Sequence, residues 1–412
     1  MSASPGLPAR RAALRLLDAV LRRGETLAAA DGPAMQGVAA APDRALARAI
    51  AGETLRWLTD LDALIDSATR QNLATDAKAR MVLRIMLAQG LRLGTPAHAV
   101  VATGLPLLAG GPRRLAHGVF SALLRGEAGL PPAPTLPAEV AARWGERAAP
   151  IAAGLAEAPP LDLTLRTPAQ TTDWQERLGA RSLAPGHLRL PRGEAIEGLS
   201  GFEQGAWWVQ DLAASLPARL LGPGEGRRVL DLCAAPGGKT LQLAALGWQV
   251  TALDASDRRL DLLRANLGRT GLAAEIVIAD ALEWEPEVSF DAVLLDAPCT
   301  ATGTCRRHPD VLHRIGERQI AEMAGLQARL LERAVRQVGP GGQLVYAVCS
   351  LEREEGEAQV PQVPLPLDPI ASSELPAGLE AAPEGWLRTD PGLLADEGGL
   401  DGFFIARWRK PG

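Results

Sequence analysis

Two thiols stand where a nucleophile would be useful. Cys299, in Asp296-Ala297-Pro298-Cys299, and Cys349, in Tyr346-Ala347-Val348-Cys349-Ser350, each follow an apolar run that reads as a β-strand. A thiolate at the edge of a sheet is a soft, strong nucleophile for a substrate held beside a cofactor. Cys233 and Cys305 read as ordinary buried cysteines, since free cysteine is among the most buried residue types.

Upstream lies a glycine-rich turn, Ala234-Ala235-Pro236-Gly237-Gly238-Lys239-Thr240. Its end resembles a phosphate-binding P-loop, but the leading glycine of that motif would fall at position 233, where Cys233 stands. An S-adenosylmethionine site fits better. Asp254 closes the second strand about twenty residues beyond the turn, where it would accept both ribose hydroxyls. Asp280 follows the third strand and would accept from the adenine amino group.

A thiolate and a methyl donor together suit one reaction well. Carbon 5 of cytosine is a poor nucleophile until a thiolate adds at carbon 6 and makes it enamine-like. Carbon 5 then takes the methyl group, and loss of its proton expels the thiolate. Asp296 would hydrogen-bond the ring edge and neutralise charge from the addition. Cys349 is the expected nucleophile, and Pro298 would place Cys299 near the adduct.

These residues need a parallel sheet to position them. After Phe202, apolar strands alternate with helices, at Arg228–Leu232, Gln249–Asp254, 275–279, 292–296, 343–348 and 402–408. Each candidate lies at a strand's carboxyl end, where doubly wound sheets bind ligands. The segment 360–391, opened by Pro361, Pro364 and Pro366, reads as a loop excursion.

The fold class expected is therefore multidomain. An all-α domain over 1–130 precedes a small α+β insert over 131–200, and a Rossmann-like α/β domain fills 201–412. Helices are expected at 43–67, 76–92, 98–108 and 113–124, and Leu130-Pro131-Pro132-Ala133-Pro134 reads as a linker. In the insert, Leu161–Arg166 and His187–Leu190 read as strands and Thr171–Leu178 as a helix.

Charge divides along the same line. Residues 1–125 hold 16 Lys and Arg against 9 Asp and Glu, and the remainder 27 against 39. The helical third is the part suited to a polyanion, because phosphate neutralisation supplies much of nucleic-acid affinity. Four cysteines without Cys-x-x-Cys spacing suggest a reduced, cytoplasmic protein and no cysteine-built metal site. The apolar runs are too short to span a bilayer.

With these residues in hand, the chain resembles the RNA cytosine-C5 methyltransferases. The segments Asp231–Thr240, Asp296–Gly303, Arg306–Asp310 and Val345–Ser350 carry the likeness. Within that family it is similar to the bacterial 16S rRNA methyltransferase B or Sun family, which places a NusB-like helical domain in front; Pro96–Ala99 and Phe120–Arg125 match segments of that domain.

The resemblance implies Cys349 as attacking nucleophile and Cys299 as the thiol that assists product release. It also implies that Cys233, Ala234, Ala235, Pro236, Gly237, Gly238, Lys239, Asp254, Asp280 and Asp296 bind S-adenosylmethionine or line its pocket. It implies 16S rRNA as substrate, gripped in part by the helical domain, with no metal and no membrane. The target cytosine would sit in a loop or be extruded from its helix. Arg306, Arg307 and His308 would hold its flanking phosphates.

Two departures stand out. Val348 occupies a position where the family usually has Thr, and Arg353-Glu354-Glu355-Gly356 stands for the family's Pro-Glu-Glu-Asn. Methylation of a tRNA cytosine, a P-loop ATPase and a non-catalytic RNA-binding assembly factor are the rival readings.

Overall fold

The computed structural model of the protein describes residues 6–193 and 196–412. The chain divides into two compact units. One runs to Glu157 and takes in Cys305–Ile315; the other holds Ala158–Thr304 and Gly316–Gly412.

The first unit is helical. Its first helix, Leu7–Arg23, buries Ala9, Ala12, Ala13, Leu16, Leu17 and Val20 at the spacing of one helical face, and Gly24 stops it in the left-handed conformation. The helix Lys78–Leu91 is buried along most of its length, including Arg80 and Arg84. Arg84 offsets the cost of burial by gripping both oxygens of Asp62, at 2.8 and 2.7 Å. The single helix expected over 43–67 is two, Ala41–Arg56 and Leu58–Ser67. They part at Trp57, whose fully buried ring lies under the Arg92 guanidinium at 4.9 Å.

The helical unit extends past the proline-rich linker. Arg56 donates to the Leu155 carbonyl at 3.0 Å and Arg92 to that of Ala156 at 2.6 Å. The helices Ala138–Trp144 and Ala148–Gly154 thus belong here, where the sequence suggested an insert. So does 305–315: Arg56 also donates to the Arg306 carbonyl at 2.8 Å, and His313 Nε2 lies 2.7 Å from the Leu55 carbonyl.

In the second unit, β1 (Leu161–Leu165), β2 (His187–Leu190) and β3 (Trp207–Val209) form a small antiparallel sheet in the order β2-β1-β3. Strand β1 is buried on both faces, although its sequence alternates. Its inward acid, Asp162, takes both arms of Arg189 at 2.7 Å and the Leu212 backbone N–H at 3.1 Å. Burial works against the charged carboxyl, but the Arg189 and His187 side chains outweigh it and hold Asp162 well below its usual range.

The large sheet comprises β4 (Arg228–Leu232), β5 (Gln249–Asp254), β6 (Glu275–Ile278), β7 (Phe290–Asp296), β8 (Val338–Val348), β9 (Leu387–Thr389) and β10 (Phe403–Arg409). The order is β6-β5-β4-β7-β8-β10-β9. Strands β4 to β8 run parallel, and β10 pairs antiparallel with β8 and β9. From central β4 the chain steps outward through β5 and β6, then returns to β7 on the other side. That reversal opens a crevice beyond the ends of β4 and β7. Two local expectations change. The strand expected over 343–348 begins earlier, with Gly339–Gly342 lying within β8 where its pairing with β7 shifts register, and the loop excursion contributes β9.

Candidate active site

The glycine-rich turn leaves β4 abruptly. Cys233 adopts φ 62° and Gly237 φ 107°, the latter a left-handed geometry that favours glycine. A Cβ at Gly237 would also come within 2.4 Å of Leu263 Cδ1. The turn delivers the chain into the helix Gly238–Ala245.

Asp254, at the end of β5, locks this turn. One carboxylate oxygen accepts from the Ala235 N–H at 3.1 Å and the other from the Ser256 N–H at 2.9 Å. Arg259 closes the circuit, donating to the Ala235 carbonyl at 2.7 Å. Asp280 follows β6, is exposed, and accepts from the Leu282 N–H at 2.8 Å. Burial, then the charges of Asp254, Asp296 and Asp231, push the Cys233 thiol up to about 12, so it stays protonated.

A cavity of about 420 Å³ opens beside the turn. Ala234, Pro236, Gly237, Gly238, Lys239 and Asp296 line it; Cys233, Ala235, Asp254 and Asp280 do not. Aromatic and polar walls come from Phe202, Trp208, Asn266 and Arg269.

Asp231 also lines this cavity, and the sequence reading assigned it no role. Its side chain is fully buried. One oxygen accepts from the Thr240 hydroxyl at 2.6 Å; Oδ1 has no hydrogen-bond partner among the described residues. Burial, which outweighs the Thr240 hydrogen bond, raises its pKa to about 7. The available signal was a lone acid inside the apolar run Val229-Leu230-Asp231-Leu232.

Across the switch point, Asp296 at the end of β7 pairs with Lys239 Nζ at 2.7 Å. Burial works against the charged lysine, but the Asp296 carboxylate offsets it. The Cys349 and Asp231 charges act in the same direction, and the ammonium is held above its usual range.

The two cysteines converge. Cys299 and Cys349 Sγ atoms stand 3.4 Å apart, brought together by the pairing of β7 with β8, in which Asp296 faces Ala347. The hydrogen bond to Cys349, then burial, keeps the Cys299 thiol well above its ordinary pKa. Either thiol can donate in this contact. Cys305 is fully buried in the helical unit. There the Arg306 side chain is 1% exposed, so it is not the phosphate ligand expected; Arg307 is half-buried and His308 exposed.

A parallel sheet with a cavity at its switch point is the frame of a Rossmann-like methyltransferase. The comparisons make the assignment specific. A family model for the 16S rRNA methyltransferase RsmB/F matches residues 218–409, and one for the NusB family matches 7–108. The Ribosomal RNA small subunit methyltransferase B of Xylella fastidiosa strain Temecula1 is 35% identical over 99% of both chains. Its Xanthomonas campestris counterpart is 35% identical over 87% of this chain and 88% of its own. Among solved structures, the one titled PH0851 covers 100% of both chains at TM-score 0.73 and 23% identity, a likeness of fold. The chain belongs to the 16S rRNA methyltransferase RsmB/F family, and is an rRNA methyltransferase with a helical NusB domain at its front.

No helix among the described residues is long and apolar enough to cross a membrane. No group of three or more His, Cys, Asp or Glu among them is placed to hold a metal ion.

Proposed function

We propose that the protein transfers a methyl group to carbon 5 of a cytosine in 16S rRNA through a covalent adduct between Cys349 and carbon 6. The observation that carries the reading is the 3.4 Å sulfur pair beyond the ends of β7 and β8, where β7 also presents Asp296 to Lys239 of the helix that follows β4.

The methyl donor is S-adenosylmethionine, which supplies an electrophilic methyl group and carries a cationic ammonium. The residues present fit it: a buried carboxylate oxygen of Asp231 lacks a partner at the cavity wall. Asp231, Asp296 and the turn Cys233–Lys239 would hold it, with Asp254 fixing that turn and Asp280 at the adjoining strand end. A buried acid facing a cavity is satisfied by a cation at least cost.

The chain's own groups then do four things. Cys349 adds to carbon 6, and Asp296 hydrogen-bonds the ring edge where charge collects. Lys239, paired with Asp296 at 2.7 Å, would hold that carboxyl group in place at the ring edge. Cys299 holds a proton beside the adduct. Once carbon 5 carries the methyl group, a general base takes its proton, the C5–C6 double bond re-forms from that electron pair, and the S–C6 bond breaks with Cys349 leaving as thiolate. The base must lie outside a stack to be attacked on its face. The work is cytoplasmic, where the four free cysteines remain reduced.

The test is transfer of labelled methyl to unmodified 16S rRNA by wild type, Cys349→Ala and Cys299→Ala. Label on carbon 5 of one cytosine, none with Cys349→Ala and an accumulating RNA–protein adduct with Cys299→Ala are the expected results. Transfer to tRNA alone would reassign the substrate. RNA binding without transfer would favour the assembly factor.

A further inference from the structure

Glu355 entered the sequence reading only as part of a departure from the family's motif. In the fold its carboxylate is fully buried, in a turn that follows Cys349. It makes no ion pair among the described residues. Burying a carboxylate without a cation is costly unless hydrogen bonds replace the lost water. Here four donors converge on it. Oε1 accepts from the Ser350 hydroxyl at 2.7 Å and from the Thr300 hydroxyl; Oε2 accepts from the Thr300 N–H at 2.9 Å and from Gln327 Nε2 at 2.8 Å.

These donors border the two thiols. Thr300 follows Cys299, and Ser350 follows Cys349. Gln327, from the helix Glu317–Gln337, donates also to the Pro298 carbonyl at 2.8 Å, so it holds the residue before Cys299. A further strut joins the loops where the Gly303 N–H donates to the Cys349 carbonyl at 3.0 Å. Tyr346 fixes the clamp itself, its hydroxyl donating to the Glu355 carbonyl at 2.7 Å.

We infer that Glu355 is a positioning residue: its ionised carboxylate clamps the Cys299 and Cys349 loops and sets the separation of the two sulfurs. The inference rests on the role proposed above for the cysteine pair. Only a carboxylate presents four acceptor sites on so short a fork. Glutamine keeps the shape but turns one oxygen into an NH₂ group, which at Oε2 would meet the Thr300 N–H and Gln327 Nε2, both donors, and at Oε1 would force the Ser350 and Thr300 hydroxyls to turn from donors into acceptors. The sulfurs would then lose their common anchor while the cofactor cavity, which Glu355 does not line, stays intact.

The experiment compares wild type, Glu355→Gln and Thr300→Val in the full chain, with folding checked by circular dichroism. Phenylarsine oxide, which bridges closely spaced thiol pairs, reads the geometry independently of turnover. Wild type is expected to lose both thiols to the reagent, with Cys299→Ala and Cys349→Ala as controls. Glu355→Gln should bind it at least ten-fold more weakly and lower kcat for methyl transfer about 10- to 100-fold. Its S-adenosylmethionine affinity and RNA KM should stay within two-fold. Thr300→Val removes one of the four bonds and should shift both readouts a few-fold, which decides the matter if Glu355→Gln does not fold. Unchanged arsenical binding in the folded variants would overturn the clamp. Absence of a cysteine adduct in wild type would overturn the proposed mechanism instead, leaving the arsenical result to judge the clamp alone.

Discussion

The two halves of the crevice are built on opposite rules. Around the cysteines, polar groups satisfy one another: the buried Glu355 carboxylate receives four donors and holds two loops. At the end of β4, the buried Asp231 carboxylate keeps an oxygen without a partner, at the wall of a cavity. A saturated network fixes the position of what it touches, whereas an unsatisfied buried acid raises the energy of the empty site and favours a cationic occupant. In the mechanism proposed above, the first half supplies the reacting groups of the protein and the second receives a guest. Lys239 and Asp296 join them.

The largest change should come from that joint. Lys239→Ala leaves Asp296 facing Asp231 without its cation. Calorimetry should show a loss of roughly 3 kcal/mol, the low end for breaking a buried pair because Asp296 keeps partial access to water. An unchanged melting temperature would mean that the two halves are not coupled through this pair.

Gly237→Ala tests the guest side alone. The left-handed φ of 107° and the approach to Leu263 should together cost roughly 2 kcal/mol. The distance between the cysteines, read by arsenical capture, should not move.

Asp231→Asn separates occupancy from stability. Loss of a charge-assisted contact should weaken S-adenosylmethionine binding by roughly 1.5–3 kcal/mol in titration calorimetry. Without ligand the sign reverses. The folded pKa of Asp231, about 7, lies above the ordinary aspartate value of 3.8. The native state therefore binds the extra proton, and stability present below the unfolded pKa is lost as pH rises through the folded value. Wild type should lose stability relative to Asp231→Asn between those limits, by melting at fixed ionic strength. Equal pH slopes would contradict the assignment. At the small end, Arg264→Ala removes exposed pairs with Asp257 and Asp261, which solvent screens, and should leave the melting temperature unchanged.

How much of this was legible follows from the reach of each signal. The alternation of strands and helices placed Cys299, Cys349, Asp254, Asp280 and Asp296 at strand ends, because a parallel sheet writes its period into contiguous sequence. Short or interrupted elements left no such trace. Strand β9 is Leu387-Arg388-Thr389, too brief to alternate, and Gly339-Pro340-Gly341-Gly342 has the composition of a turn although it lies within β8. Glu355 draws on Thr300 and Gln327, residues distant in sequence that meet only after β7, β8 and the helix between them have packed. Arg306 looked like a phosphate ligand by type and neighbours; its burial among helices depends on where 305–315 folds, which local composition does not record.

The central claim is that Cys349 attacks carbon 6. It is tested most directly by incubating the protein and S-adenosylmethionine with target rRNA containing 5-fluorocytidine, whose fluorine blocks the final elimination, then mapping the cross-linked peptide by mass spectrometry. The account predicts a single linkage, at Cys349, retained in Cys299→Ala and absent from Cys349→Ala. A linkage at Cys299, or methyl transfer with no adduct at either cysteine, would contradict it.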